Sequence, residues 1–293
     1  MQPTSLSRHK VHSLIAEGEY TLAESPHPER ARRDAETLLL HLFQRRDPQR
    51  NRAWLIAHWN NPTDHGREFR ALIERRLAGE PIQHITGETE FYGLPFRVTP
   101  DVLIPRPETE HLVEKVLALA AGLRAPRIVD VGTGSGAIAV ALAHKLPHAQ
   151  ITATDLSAAA LDLARENAER NGVAARIRFL RGDLLAPVAG EAFDIIVSNP
   201  PYVSTADRAS LSVEVRDYEP ALALFAGPDG LDIYRRLIPH AFAALTSGGF
   251  LALEIGFGQS PAIRTILADS GFEPIEFVAD LQNIPRVASA QRR

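Results

Sequence analysis

The 293-residue sequence contains no cysteine. That absence excludes disulfide frameworks, thiolate zinc sites, iron–sulfur clusters and cysteine nucleophiles, so any chemistry has to come from other side chains. Long hydrophobic runs are missing as well. Nothing approaches the roughly 20 consecutive apolar residues of a membrane helix, and Met1–Lys10 lacks the apolar stretch of a secretory signal. A cytoplasmic protein without membrane association is expected. An excess of positive charge is lacking too: 32 Lys and Arg stand against 36 Asp and Glu, a net charge of −4, which argues against bulk electrostatic attachment to nucleic acid. Before Ile85 there are 13 basic and 11 acidic residues, and from there on 19 and 25, so neither part is a basic domain.

What is present is an ordinary globular composition, 45% hydrophobic and 23% charged, with enough apolar material for a sizeable core. The length suggests two domains, or one large domain with an appendage. In residues 1 to about 80, apolar side chains recur at steps of three and four: Leu14 and Ile15, then Leu38, Leu39 and Leu42, then Trp54 and Leu55, then Phe69, Leu72 and Ile73. This is the periodicity of a small helical bundle, serving either as a packing appendage or as a docking module for a partner. From Gly87 to Ile104 β-favouring residues and turn signals take over, which predicts a hairpin linker. Beyond Pro107 strands and helices alternate. Strands are expected at 127–131, 151–154, 177–180, 193–198, 250–254 and 274–278, with helices between most of them. Alternation of this kind builds a parallel sheet covered by helices on both faces, an α/β fold.

Asp130-Val131-Gly132-Thr133-Gly134-Ser135-Gly136 follows an apolar strand and opens a helix at Ala137. Glycines there let the backbone turn sharply and approach a ligand, while the helix N–H groups face it. Three readings stay open: a loop for S-adenosylmethionine, a loop for a nicotinamide or flavin dinucleotide, and a merely tight turn. Asp155 ends the second strand of the alternating region, where a carboxylate can accept hydrogen bonds from ribose hydroxyls or simply cap the next helix. Asp183, after the third strand, is placed to meet an adenine amino group with Leu184 beside the ring, and equally to be a loop aspartate. His144 and His148 are separated by Pro147 and no third ligand is evident, so no metal is expected.

The fourth strand runs directly into Asn199-Pro200-Pro201-Tyr202. Two prolines stop the ladder because neither donates a backbone N–H, which leaves a rigid segment at the crevice where open α/β sheets bind ligands. A planar NH2 group suits it: Asn199 Oδ1 and the Pro200 carbonyl can each accept one N–H, and the Tyr202 ring can pack against the flat group. An amide nitrogen is a poor nucleophile, its lone pair being delocalised. Two neutral hydrogen bonds of about 1 kcal/mol each are too little to activate it. Holding it in line with a methyl group can supply about 7–11 kcal/mol, so positioning is the expected means of catalysis.

With these motifs in order, the sequence resembles the peptide-chain release factor glutamine methyltransferases over nearly its whole length. The resemblance is carried by Gly87-Glu-Thr-Glu-Phe-Tyr-Gly93, Leu103-Ile-Pro-Arg-Pro-Glu-Thr-Glu110, the glycine-rich loop, Ser198-Asn-Pro-Pro-Tyr202 and Gly248-Gly-Phe-Leu-Ala-Leu-Glu-Ile-Gly256. It implies a Rossmann-like class I methyltransferase domain with a seven-stranded, mostly parallel sheet over residues 107–293, a β-hairpin linker over 86–106, and a helical substrate-docking domain over 1–85. It implies S-adenosylmethionine as donor and, as acceptor, the N5 amide of the glutamine in the Gly-Gly-Gln motif of class I release factors. Asp130, Gly132 to Gly136, Asp155, Asp183, Leu184 and Asn199 would then surround the donor. Asn199, Pro200 and Tyr202 would carry catalysis, and Pro201, Arg106 and Glu108 would complete the acceptor site. For Arg106 and Glu108 a proline-stiffened linker leading into the next helix is the competing reading. Where some relatives have tryptophan after the acidic residue of the third loop this chain has Leu184, which trades ring stacking for aliphatic packing.

Two sister activities share some of these motifs: Asn-Pro-Pro-Tyr alone is common to many amino-methyltransferases acting on adenine, guanine or glutamine, whereas Ile104-Pro-Arg-Pro-Glu108 is far more specific to glutamine enzymes. One methylates a ribosomal-protein glutamine. The other methylates a base amino group of nucleic acid, but it should bring a basic groove that the −4 balance does not show. A monomer without stable nucleic-acid binding is expected.

Overall fold

The computed structural model describes residues 9–280 and 282–293; the reading of the first eight residues as free of a signal lies outside them. The chain divides into two compact units. One comprises the residues up to Gly87 together with Ser212–Tyr218, the other Glu88–Leu211 and Glu219–Arg293.

The first unit contains β1 (His9–Lys10), α1 (Val11–Leu22), α2 (Ala31–Gln44), α3 (Arg52–Ala57), β2 (Pro62–Thr63), α4 (Gly66–Leu77) and α5 (Ile82–Thr86). The expected periodicity is realised: Leu14, Ile15 and Leu22 of α1 meet Leu38, Leu39 and Leu42 of α2 and Phe69 and Ile73 of α4 in one core. Sequence periodicity did not announce the short antiparallel pairing of β1 with β2, because two-residue strands carry no pattern. It also did not announce that Ser212–Tyr218 belongs to this unit. That segment brings Glu214 to Arg76, whose side chain is buried and also bonds Asp34 at 2.6 Å and the Glu80 carbonyl at 2.9 Å.

The second unit opens with a hairpin, β3 (Glu88–Phe91) and β4 (Leu94–Arg97). Its turn places Tyr92 at φ 54° and Gly93 at φ 72°, both left-handed as the tight primed turns require. The hairpin is shorter than the 86–106 linker expected from sequence, since Val102-Leu103-Ile104 forms no strand. Instead the Ile104 amide donates to Glu219 at 3.0 Å, a pairing with a side chain that replaces a ladder.

There follow α6 (Glu110–Ala120), β5 (Arg127–Val131), α7 (Ala137–Lys145), β6 (Gln150–Asp155), α8 (Ala158–Arg170), β7 (Ile177–Arg181), β8 (Phe193–Ser198), α9 (Val213–Tyr218, in the first unit), α10 (Ala221–Leu224), α11 (Asp232–Ala244), β9 (Leu245–Glu254), α12 (Ser260–Asp269), β10 (Phe272–Ala279) and β11 (Pro285–Arg292). The seven strands after the hairpin form one sheet in the order β10-β11-β9-β8-β5-β6-β7. β11 runs antiparallel to both neighbours, while the pairs from β9 to β7 are all parallel.

Both faces of the sheet are covered, as a parallel sheet demands. Ile128, Ile195 and Val197 pack on one side with α6 and α7 residues such as Val113, Val116 and Leu142. The alternating Val129, Val131 and Ile196 pack on the other with Tyr234, Leu237 and Ile238 of α11. Two departures from the sequence reading are physical. β9 begins at Leu245 and not at 250, because a register shift opposite Phe193–Ile195 lets the Ser247-Gly248-Gly249 stretch stay in the strand. β11 was not anticipated, its Ala- and Ser-containing sequence giving little β signal until β9 and β10 pair with it. No helix among the described residues is long and apolar enough to cross a membrane.

Candidate active site

The strand order reverses at β5 and β8, which sit side by side with their successors on opposite sides. Loops leaving the carboxyl ends of such strands diverge and open a crevice. The loop after β5 is Gly132–Gly136 and the loop after β8 is Asn199–Tyr202. Between them lies a cavity of about 370 Å³, within the size range of small-ligand sites. Gly132 to Ser135, Asp155, Asp183, Leu184 and Asn199 to Pro201 line it, as do Arg106 and Thr109 from the linker and the turn that leads into α6.

The glycine loop is built for close approach. Gly132, Gly134 and Gly136 have φ of 73°, 55° and 81°, conformations that strongly favour glycine. The amides of Gly132 and Thr133 are consumed by the Thr154 carbonyl at 2.8 and 3.0 Å, which ties the loop to β6. Beneath it the fully buried Asp130 accepts from Thr133 Oγ1 at 2.7 Å and the Ala139 amide at 3.2 Å. Burial pushes this carboxyl up to about 7, against the pull of those two hydrogen bonds. Asp130 does not line the cavity; it braces the loop from inside.

Asp155 does line the cavity, and its carboxylate accepts from the amides of Gly134 at 2.9 Å and Ser157 at 2.8 Å. A carboxylate offers about four lone-pair positions, so acceptor capacity remains. Asp183 is paired with Arg236 of α11, a partner that sequence reading did not supply. Leu184 beside it is held at φ 50°, with its carbonyl accepting from Thr154 Oγ1 at 2.9 Å.

Asn199 has an unmet polar atom, as does the Asp130 carboxylate beneath the glycine loop. The Asn199 amide donates from Nδ2 to Thr109 Oγ1 at 3.1 Å, while its buried Oδ1 has no partner. Thr109 in turn donates to Glu254 Oε2 at 2.6 Å. Tyr202 does not line the cavity. Its hydroxyl is 3.4 Å from Glu254 Oε1, and burial raises its pKa above the usual phenol value. Glu108 is exposed and also off the cavity wall, whereas Arg106 lines it and is anchored by the buried Glu219.

Residues 108–215 match the Methyltransferase small domain family and residues 13–87 the PrmC N-terminal domain family. The release factor glutamine methyltransferase of Moorella thermoacetica is 52% identical over 70% of this chain and 72% of its own. That of Koribacter versatilis is 41% identical over 92% and 93%. The chain belongs to the release factor glutamine methyltransferase family. Solved structures agree on the fold: a Pyrococcus furiosus methyltransferase aligns over 78% of this chain and 98% of its own with a TM-score of 0.51 at 21% identity. The T. thermophilus 16S rRNA N2 G1207 methyltransferase, solved with AdoMet and guanosine, gives a TM-score of 0.52 at 22% identity over 70% and 50%.

In this member of the release factor glutamine methyltransferase family, the Asn-Pro-Pro-Tyr loop is shaped by residues the motif does not contain. Gln259 Nε2 donates to the Tyr202 carbonyl at 3.0 Å and its Oε1 accepts from the Gly256 amide at 2.9 Å, stitching the loop after β8 to the loop after β9. Gly230 packs so closely that a Cβ there would lie 2.2 Å from the Tyr202 carbonyl oxygen, and its φ is 74°. Nothing at Gln259 could have flagged it in the sequence. Gly230, in a Pro-Asp-Gly turn, carried a signal for a left-handed residue but none for its neighbour. Gly230→Ala is therefore expected to displace the loop, lowering kcat by roughly a hundredfold, the cost of about 1 Å of misplacement, and stability by about 1–3 kcal/mol. Steady-state kinetics with a melting curve tests this, and a wild-type kcat would show that the loop does not depend on the contact.

Proposed function

We propose that this chain transfers the methyl group of S-adenosylmethionine to the side-chain amide nitrogen (N5) of the glutamine in the Gly-Gly-Gln motif of class I release factors. The observation that carries this reading is Asn199 Oδ1: buried, without a partner, and belonging to a residue of the cavity wall. An unmet buried acceptor costs about 1–3 kcal/mol, and the N–H of a substrate amide meets the need.

The residues fit the donor. The left-handed glycine cradle admits a ligand to the backbone, Asp155 keeps lone pairs for ribose hydroxyls, and Leu184 offers an apolar wall for a ring. Gly132 to Gly136, Asp155, Asp183 and Leu184 would hold it, with Asp130 acting through the loop it braces. Bound there, the donor supplies a methyl group made electrophilic by a sulfonium. This chain then has to hold an amide nitrogen in line with that carbon. Asn199 Oδ1 and the Pro200 carbonyl accept the two N–H groups, and the prolines stiffen the platform. Both acceptors would bind that nitrogen more strongly as positive charge developed on it during transfer of the methyl group from sulfur. The extra proton leaves for solvent once transfer is complete, so no buried base is needed. Tyr202, whose hydroxyl donates to Glu254, adds rigidity to the platform.

In this reading residues 1–85 dock the acceptor protein, 86–106 form the linker and 107–293 carry transfer, in a cytoplasmic monomer. The test is incubation of the full chain with labelled S-adenosylmethionine and, in parallel, purified class I release factors, ribosomal proteins and DNA. Label on the release factor, lost when its Gly-Gly-Gln glutamine is replaced, is the expected result. Label only on ribosomal protein or only on DNA would overturn the acceptor assignment.

A further inference from the structure

Asn199 is held by a chain of hydrogen bonds that leads into the protein interior. Its Nδ2 donates to Thr109 Oγ1 at 3.1 Å, and Thr109, 4% exposed, donates to Glu254 Oε2 at 2.6 Å. Glu254, 3% exposed at the end of β9, has no ion-pair partner within salt-bridge distance among the described residues; Tyr202 reaches its other oxygen at 3.4 Å. The order of donors is dictated by chemistry. An ionised carboxylate only accepts, so the Thr109 proton is committed to it, and Thr109 Oγ1 then has only lone pairs to offer Asn199. The amide must answer with Nδ2, which leaves Oδ1 as the free acceptor.

We propose that Thr109 and Glu254 are positioning residues for methyl transfer, the Glu254 carboxylate acting through the Thr109 hydroxyl to orient the Asn199 amide with Oδ1 available to the acceptor nitrogen. The inference rests on the glutamine-methylation reading above and extends it to two residues that act through Asn199.

The arrangement carries a pH signature. Burial pushes the Glu254 carboxyl up to about 7; the Thr109 and Tyr202 hydrogen bonds and the Arg286 charge pull it down, and the Glu108 charge pushes it further up. Tyr234, which donates to the Glu254 carbonyl at 2.7 Å, and Tyr202 both stay neutral, their pKa values raised by burial. Above about 7 the carboxylate is ionised and the orientation is locked. Below it the protonated carboxyl can donate to Thr109, whose own proton is then free for Asn199 Oδ1. The amide turns, Nδ2 replaces Oδ1, and a donor confronts the donor N–H groups of the substrate. Activity is lost as pH falls. One other buried carboxyl, Asp130 under the glycine loop, is also pushed up to about 7, so the experiment has to separate the two.

The experiment compares the full-length wild type with Thr109→Val, Thr109→Ser and Glu254→Gln, using S-adenosylmethionine and a class I release factor between about pH 5.5 and 8.5. Thr109→Val is expected to lower kcat about tenfold to a hundredfold, as loss of a charge-supported hydrogen bond does, with the KM for S-adenosylmethionine within about twofold. Thr109→Ser should restore most of kcat. Glu254→Gln, which cannot ionise, should lose the acid limb of the kcat profile. A wild-type kcat in Thr109→Val, or an acid limb that persists in Glu254→Gln and so belongs to Asp130, overturns the proposal while leaving the methylation reading intact. Failure of the wild type itself to label the release factor removes both. Should Thr109→Val not fold, the Glu254→Gln profile decides.

Discussion

Asn199→Ala is expected to reduce methyl transfer by about a thousandfold, at the upper end of what removal of one preorganised polar group costs, while the tertiary structure persists. Two losses combine. The substitution deletes a buried acceptor of the cavity wall that has no partner, and it cuts the bond to Thr109 that gives Asn199 a defined orientation. Because an amide nitrogen has to be aligned and not merely bound, loss of the clamp forfeits alignment, the largest contribution available here. The fold should tolerate the change. Asn199 follows β8 and its side chain bonds Thr109, a bond worth about 1 kcal/mol, and the donor side of the cavity is supported independently by Asp130 and Thr154. Single-turnover transfer from labelled S-adenosylmethionine, beside donor affinity and a circular-dichroism melt, measures it. Turnover on a release factor equal to wild type would sink the assignment.

Arg76→Ala is expected to cost about 3–5 kcal/mol, the usual penalty for breaking a buried ion network by removing one side of it. Arg76 is 1% exposed, and its guanidinium serves Asp34 at 2.6 Å, the Glu80 carbonyl at 2.9 Å and Glu214. Alanine would leave the nearly buried Asp34 uncompensated and Glu214 with only His27, whose Nε2 lies 3.2 Å away. The cavity left by a fully buried arginine adds to the cost. Since Glu214 comes from Ser212–Tyr218, a segment of the first unit, its amides should lose hydrogen-exchange protection together with those of α2 and α4. Hydrogen exchange resolved by segment checks this, and a loss below about 1 kcal/mol would mean the network is already compensated by solvent.

Local patterns proved good guides to the elements that bear the site and poor guides to what holds them in place. β5 and β8 occur at the residues expected from sequence, 127–131 and 193–198, because an apolar run cut off by Gly-x-Gly or by Asn-Pro-Pro is legible over a few residues. Asp155 and Asn199 were likewise legible, each at the end of a strand. Thr109, Glu254, Gln259 and Glu219 were not. Thr109 meets Glu254 across 145 residues and Gln259 meets Tyr202 across 57, and no periodicity records such distances. Glu254 in particular reads as the polar end of a strand until Thr109 and Tyr202 are seen to enclose it.

The sequence by itself determined the α/β alternation, the helical character of the first unit, the glycine loop and the Asn-Pro-Pro-Tyr platform, because each depends on backbone sterics and on hydrophobic spacing within a few residues. Only the tertiary structure decided that Tyr202 and Glu108 stand off the cavity wall, that Asp183 is paired with Arg236, that β11 completes the sheet against the direction of its neighbours, and that the orientation of one asparagine amide depends on a buried carboxylate. Those outcomes follow from burial and from hydrogen bonds between distant segments, which exist only once the chain has closed on itself.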